Sequence, residues 1–124
     1  DESQRFLGQS ESEDGGRTWS MIRRTEMWGY PPHIIRLNDG RLLVVYGHRR
    51  KPYGQRACLS NDDGRTWDLK NEIALVDDAP DGDLGYPASA QLGDGTVLTI
   101  YYQKDQPADK PCLMATHWRL PGPK

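Results

Sequence analysis

The sequence predicts an all-β fold built from repeated antiparallel units, and three observations carry that prediction. First, the octet Ser60-Asn61-Asp62-Asp63-Gly64-Arg65-Thr66-Trp67 has an earlier counterpart, Ser12-Glu13-Asp14-Gly15-Gly16-Arg17-Thr18-Trp19. Both fit Ser-x-Asp-x-Gly-x-Thr-Trp. Their tryptophans stand roughly 50 residues apart, a spacing expected when each period is one supersecondary unit. Second, a strand-turn-strand pattern recurs. Tyr30 and Tyr86, Gly40 and Gly95, Tyr46 and Tyr101, and Cys58 and Cys112 pair off at nearly the same interval. Third, the 124 residues include 13 Gly and 9 Pro and are only 35% apolar, which suits short strands and many turns better than helices.

In chain order, residues 5–10 read as a strand entering the first octet, and residues 20–27 leave it. Gly29-Tyr30-Pro31-Pro32 breaks the chain. Residues 33–37 form a strand, and Asn38-Asp39-Gly40 carries the Asp-Gly hairpin signal. Residues 41–49 are the clearest strand, and the run Leu42-Leu43-Val44-Val45-Tyr46 predicts burial on both faces. Residues 56–60 enter the second octet and 68–76 leave it. An acidic loop, 77–85, precedes a restart at Gly85-Tyr86-Pro87. Residues 96–104 repeat 41–49, and residues 111–118 form the last strand. Numbering strands within a unit, the chain holds a third and fourth, then all four, then a first, second and third. The units are expected at 1–28, 29–76 and 77–124.

The octet has its own physical logic. Ser and Asp side chains bond to backbone N–H groups inside a tight turn. Gly supplies a positive φ. Trp brings a large ring beneath the turn, with its N–H free to reach an acceptor. Ser12, Asp14, Gly16 and Trp19, and likewise Ser60, Asp62, Gly64 and Trp67, are therefore structural candidates. A calcium loop needs more oxygen ligands at fixed offsets and a closing carboxylate, and neither octet has them.

Charge and hydropathy exclude several classes. A net charge of −2 leaves no basic footprint for nucleic acid. The longest aliphatic run, Leu42 to Val45, is too short to span a membrane. No cleavable leader is visible, and the chain begins at Asp1 without Met, so a leader removed or lying outside the sequence fits equally well. Asp77, Asp78, Asp81 and Asp83 crowd together, but Pro80 breaks the spacing of a cation loop, and no metal or other cofactor is expected. Cys58 and Cys112 occupy equivalent strands of successive units. Their separation is expected to exceed the ~7 Å Cα limit for a disulfide, which predicts two free, half-buried thiols.

The octets resemble the Asp-box, or BNR repeat, of sialidases and other β-propeller glycosidases. The resemblance extends through Tyr46-Gly47-His48-Arg49, Tyr53-Gly54-Gln55-Arg56-Ala57, Asp83-Leu84-Gly85-Tyr86-Pro87 and Ala115-Thr116-His117-Trp118-Arg119-Leu120-Pro121. It implies a partial propeller of about two four-stranded blades, equivalent to the last two blades of a sialidase-like protein. Closed propellers take about four to eight blades, so the resemblance further implies upstream blades or assembly with other copies of the chain.

It also implies a site. Tyr86 stands where sialidases place their tyrosine nucleophile, and Arg56, upstream of it, stands where they place an arginine for the sugar carboxylate. Pro87 departs from the serine common after that tyrosine. The family's other arginines, its catalytic Asp and the Glu partner of the tyrosine belong to earlier blades and are expected upstream of Asp1. Arg49, Asp83 and His33 are further substrate-binding candidates, with Tyr30 and Tyr102 at the same mouth. An arginine fork suits a sugar acid because it binds both carboxylate oxygens. The expected function is sugar binding in the funnel of a sialidase-like glycosidase, inactive as this chain alone. The alternative is a non-catalytic carbohydrate-binding or oligomerising fragment.

Overall fold

The computed structural model describes residues 2–123. A single turn of 3₁₀ helix at Glu2–Arg5 leads into nine strands in three antiparallel sheets. The first sheet pairs β1 (Phe6–Gln9) with β2 (Arg23–Trp28). The second runs β3 (Pro32–Arg36), β4 (Leu42–His48), β5 (Gly54–Ser60), β6 (Ile73–Val76), each strand beside the next. The third is β7 (Gly85–Gln91), β8 (Val97–Gln103), β9 (Cys112–Trp118). This is the all-β, partial-propeller arrangement that the repeat predicts, and the strands fall third-fourth, first-to-fourth and first-to-third. Two short elements were not legible in the sequence: the 3₁₀ turn at Glu2–Arg5, where residue 5 was expected in a strand, and another at Leu69–Asn71 before β6.

The middle sheet is the hub because both of its faces are covered. Side chains alternate across a strand, so β4 sends Leu43 and Val45 one way and Val44 and Tyr46 the other. Leu43 and Val45 join Leu37, Ala57 and Leu59 in a core closed by Val97, Trp118 and Leu120 of the third unit. Val44, Tyr46 and Cys58 pack against Leu7 and Met27 of the first sheet. Leu43, Val45 and Tyr46 are 0% exposed. β8, the repeat equivalent of β4, is covered on one face only. Val97, Thr99, Tyr101 and Gln103 are buried, whereas Ile100 is 48% exposed and Leu113, on β9 opposite Tyr102, 84%. At the opposite end of the row, Trp19, Met21 and Ile22 lie open.

Both octets fold as the sequence implies, each on the turn between a third and a fourth strand. In the second, Ser60 Oγ donates to Asp62 Oδ1 (2.8 Å), Gly64 N–H donates to Ser60 Oγ (2.9 Å) and Thr66 N–H donates to Asp62 Oδ1 (2.9 Å). Ser12, Asp14, Gly16 and Thr18 repeat the pattern. These bonds to the ionised carboxylate hold Asp14 and Asp62 down to about 2, with the Thr18 and Thr66 hydroxyls the largest cause. A carboxyl whose pKa falls on folding contributes stability above its unfolded value, and that contribution is lost as pH drops through the folded one. The urea midpoint is therefore expected to fall between about pH 5 and pH 2, and Asp62→Asn should flatten the slope. A midpoint constant over that range would contradict the bonding described.

The two tryptophans differ, which the repeat did not predict. Trp67 is half-buried in the core between the first two sheets, and its Nε1–H donates to Gln9 Oε1 of β1 at 2.9 Å. Trp19 is 63% exposed and donates only to its own turn, at Gly16 O (3.1 Å). Burial of the ring requires a preceding sheet to lie on, and β1–β2 is the first sheet of this row.

The cysteines are free, as expected, but not alike: Cys58 is buried and Cys112 exposed. Cys58 sits in the core between sheets, whereas Cys112 lies on the open outer strand. Burial is the main cause raising the Cys58 thiol to about 12. A thiol reagent should label one cysteine in the folded chain and two after denaturation. Equal labelling of both in the folded state would contradict this packing.

Candidate functional site: an arginine–tyrosine ladder across the sheets

Two glycine–tyrosine–proline segments lie at the starts of β3 and β7. Gly29 (φ +145°) and Gly85 (φ +129°) adopt backbone conformations that side-chain-bearing residues rarely take. Each swings the following tyrosine out at the strand's entrance. Tyr86 itself has φ +50°, which is uncommon for a bulky residue, and sits where the β7–β8 register shifts. Its ring is 67% exposed. Strained backbone of this kind concentrates at functional sites.

Arg49, just beyond the end of β4, reaches between these segments. Its guanidinium lies 4.6 Å from the Tyr30 ring centroid and 6.0 Å from that of Tyr86. Tyr86 stacks on Tyr102 of β8 at 5.9 Å. Arg49 is half-buried and makes no ion pair with a carboxylate among the described residues; its Nε is buried without a hydrogen-bond partner. That nitrogen has surrendered water without acquiring a hydrogen-bond partner.

Asp83 closes the far side. It lies 3.9 Å from Lys104 Nζ, and Asp81 lies 2.9 Å from the same nitrogen. Asp81 hydrogen-bonds Lys104 and raises its pKa. The Tyr102 phenol is raised above its ordinary value, first by burial, with Asp83 adding to the rise and Arg49 opposing it. Among the described residues no group of three or more His, Cys, Asp or Glu is placed to hold a metal ion.

The sequence candidates thus divide. Arg49, Tyr86, Tyr102, Tyr30 and Asp83 come together. Arg56 does not join them. It lies on β5 opposite Tyr46, in a 3.4 Å ion pair with Glu72, which also accepts a hydrogen bond from the buried Tyr46 hydroxyl. This part of β5 faces the first sheet, so the arginine's charge is neutralised inside the fold. His33 lies further along β3, where its Nδ1 accepts the Ser89 N–H at 3.2 Å and ties β3 to β7. Sequence reading missed Arg5. Its guanidinium lies 4.9 Å from the Tyr30 centroid and donates to the Tyr30 hydroxyl. Arg5 precedes Tyr53 by the same interval that separates the two octets, so the loop position was legible even though the residue's role was not.

A family model described as a BNR repeat-like domain matches residues 1–99. The chain belongs to the BNR repeat-like family. The match fits the two Asp-box turns and the blade-like sheets, features of a sialidase-like repeat fold. This BNR repeat chain is also similar to a crystal structure of a protein of unknown function from Dyadobacter fermentans, at 33% identity and a TM-score of 0.78. That likeness covers 90% of this chain and 30% of the other, so the chain spans about three-tenths of that protein's length. No curated protein matches the chain. Two clefts lie away from Arg49 and Tyr86. One of about 410 Å³ lies under the second Asp-box, against Leu120 and Pro121. Another, of about 500 Å³, is lined by Arg5 and Tyr30 together with Phe6, Leu7 and Gly8 of β1 and with Gly29 and Pro32. The ladder itself is an open surface.

Proposed function

We propose that this BNR repeat chain forms part of the sugar-binding face of a sialidase-like propeller and takes an acidic sugar there. Arg49 receives the carboxylate, and Tyr86 and Tyr102 lie against the ring. The observation that carries this reading is the half-buried guanidinium of Arg49 between two tyrosine rings, with no carboxylate partner among the described residues. Charge-assisted bidentate bonding is the strongest interaction such a group can offer a ligand. Calorimetric or NMR titration should show binding of N-acetylneuraminate or glucuronate and none of galactose at equal concentration. Equal response to the neutral sugar would overturn the reading.

Catalysis is a separate matter. Tyr86 meets Arg49 and Tyr102, and a phenol nucleophile needs a base to take its proton. The 124-residue chain is therefore expected to bind sialosides without hydrolysing them. Robust turnover of a fluorogenic sialoside would contradict this.

One observation favours the second reading, an assembling module. Ile100 and Leu113 at one end of the row, and Trp19, Met21 and Ile22 at the other, are exposed apolar side chains. Exposed apolar patches on sheet faces invite association. Light scattering over a dilution series should then report a mass above that of one chain; a constant 14.1 kDa would rule out self-association.

A further inference from the structure

The ladder is longer than one sugar needs. Its members run Arg5, Tyr30, Arg49, Tyr86, Tyr102, with successive separations of 4.9, 4.6, 6.0 and 5.9 Å, and they come from all three sheets or the segments leading into them. Two guanidinium groups share the Tyr30 ring. Neither forms an ion pair with a carboxylate among the described residues. The result is a positive stripe on a chain whose net charge is −2. Like charges held side by side repel, and the arrangement is stabilised when anions neutralise both.

From this we infer that the face binds an extended acidic glycan, with Arg49 and Arg5 each receiving the carboxylate of a different sugar unit. The inference rests on the acidic-sugar reading and adds the polymer and the second charge site. One carboxylate satisfies one guanidinium fork in the bidentate mode. The exposed Tyr86 and the half-buried Tyr102 supply aromatic surface for sugar rings to lie against. Asp83 neighbours Tyr102 and, with Asp81, flanks Lys104, so the stripe of guanidinium groups does not continue past Tyr102. Two guanidinium groups make too short a basic track for a nucleic-acid strand, whose backbone follows a longer positively charged groove.

The test is titration of the 124-residue chain with galacturonate and tri-galacturonate, and in parallel with N-acetylneuraminate and its α2,8-linked trimer. In one series the trimer should bind at least about tenfold tighter than the monomer, as expected when a second site engages through a short tether; the series that shows the gain identifies the sugar. Arg5→Gln should remove the gain, whereas Arg49→Gln should weaken monomer and trimer alike. Arg5 is exposed, so its replacement leaves the core untouched. A monomer that binds with no gain for either trimer, or a gain that survives Arg5→Gln, overturns this inference and leaves the single-sugar reading standing. Absence of binding by every acidic sugar overturns both. An octathymidylate binding more tightly than either trimer assigns the ladder to single strands instead.

Discussion

Trp67→Ala is expected to destabilise the fold by about 3 kcal/mol, within the range for large aromatic truncations. The Trp67 ring packs against the core shared by Leu7, Met27, Val44, Tyr46 and Cys58. Its loss also leaves Gln9 Oε1 without the indole donor at 2.9 Å. Gln9 Nε2 and Arg23 Nη2 both donate to Gly64 O at 2.8 Å, so β1 and β2 are tied to the second Asp-box at several points. Trp19→Ala removes the equivalent residue of the repeat, yet its ring is 63% exposed. It should cost under about 1 kcal/mol, as surface substitutions do. Urea denaturation of both variants checks the pair. Equal losses would mean that burial between sheets is not what gives the tryptophan its role.

Gly47→Ala is the second change with a large expected effect. A Cβ at Gly47 would stand 2.7 Å from the Tyr30 carbonyl oxygen and 3.1 Å from Gly85 Cα. Both neighbours are backbone, and Gly47 O also accepts the Tyr30 N–H at 3.0 Å. The two tyrosine-bearing segments close over this glycine, so adding a methyl group forces them apart. Overpacking of this kind costs about 1–3 kcal/mol. It should also weaken acidic-sugar binding, because Tyr30 and Tyr86 lose their common seat beside Arg49. Calorimetric melting together with a sugar titration would show it. A variant with unchanged stability and unchanged affinity would contradict the close approach described.

The strand plan was legible in the sequence because each unit repeats its turn chemistry. The Asp-box, the Asp39-Gly40 and Asp94-Gly95 turns and the Gly-Tyr-Pro entrances recur at nearly constant intervals. Burial was less legible. Periodicity treats Trp19 and Trp67 as equivalents, and β4 and β8 likewise, but a face is buried only when a sheet lies on it. The grouping of the candidate residues was legible in part. Arg49, Tyr86 and Tyr102 were recognisable as strand-end residues at one mouth. That Arg56 stands apart from the other candidates was not legible, because its partner, Glu72, is 16 residues away and meets it through β5–β6 pairing. Arg5 was missed because nothing local distinguishes it; only the Tyr30 ring, far along the chain, shows its place.

The most direct test of the anion site is an NMR titration of N-acetylneuraminate against the native chain, Arg49→Gln and the exposed-surface control Arg119→Gln. Arg49→Gln should lower affinity at least about tenfold, the scale of a lost charge-assisted hydrogen bond, and Arg119→Gln should match the native chain. Undiminished affinity in Arg49→Gln, with shifts centred away from Tyr30, Tyr86 and Tyr102, would contradict the account.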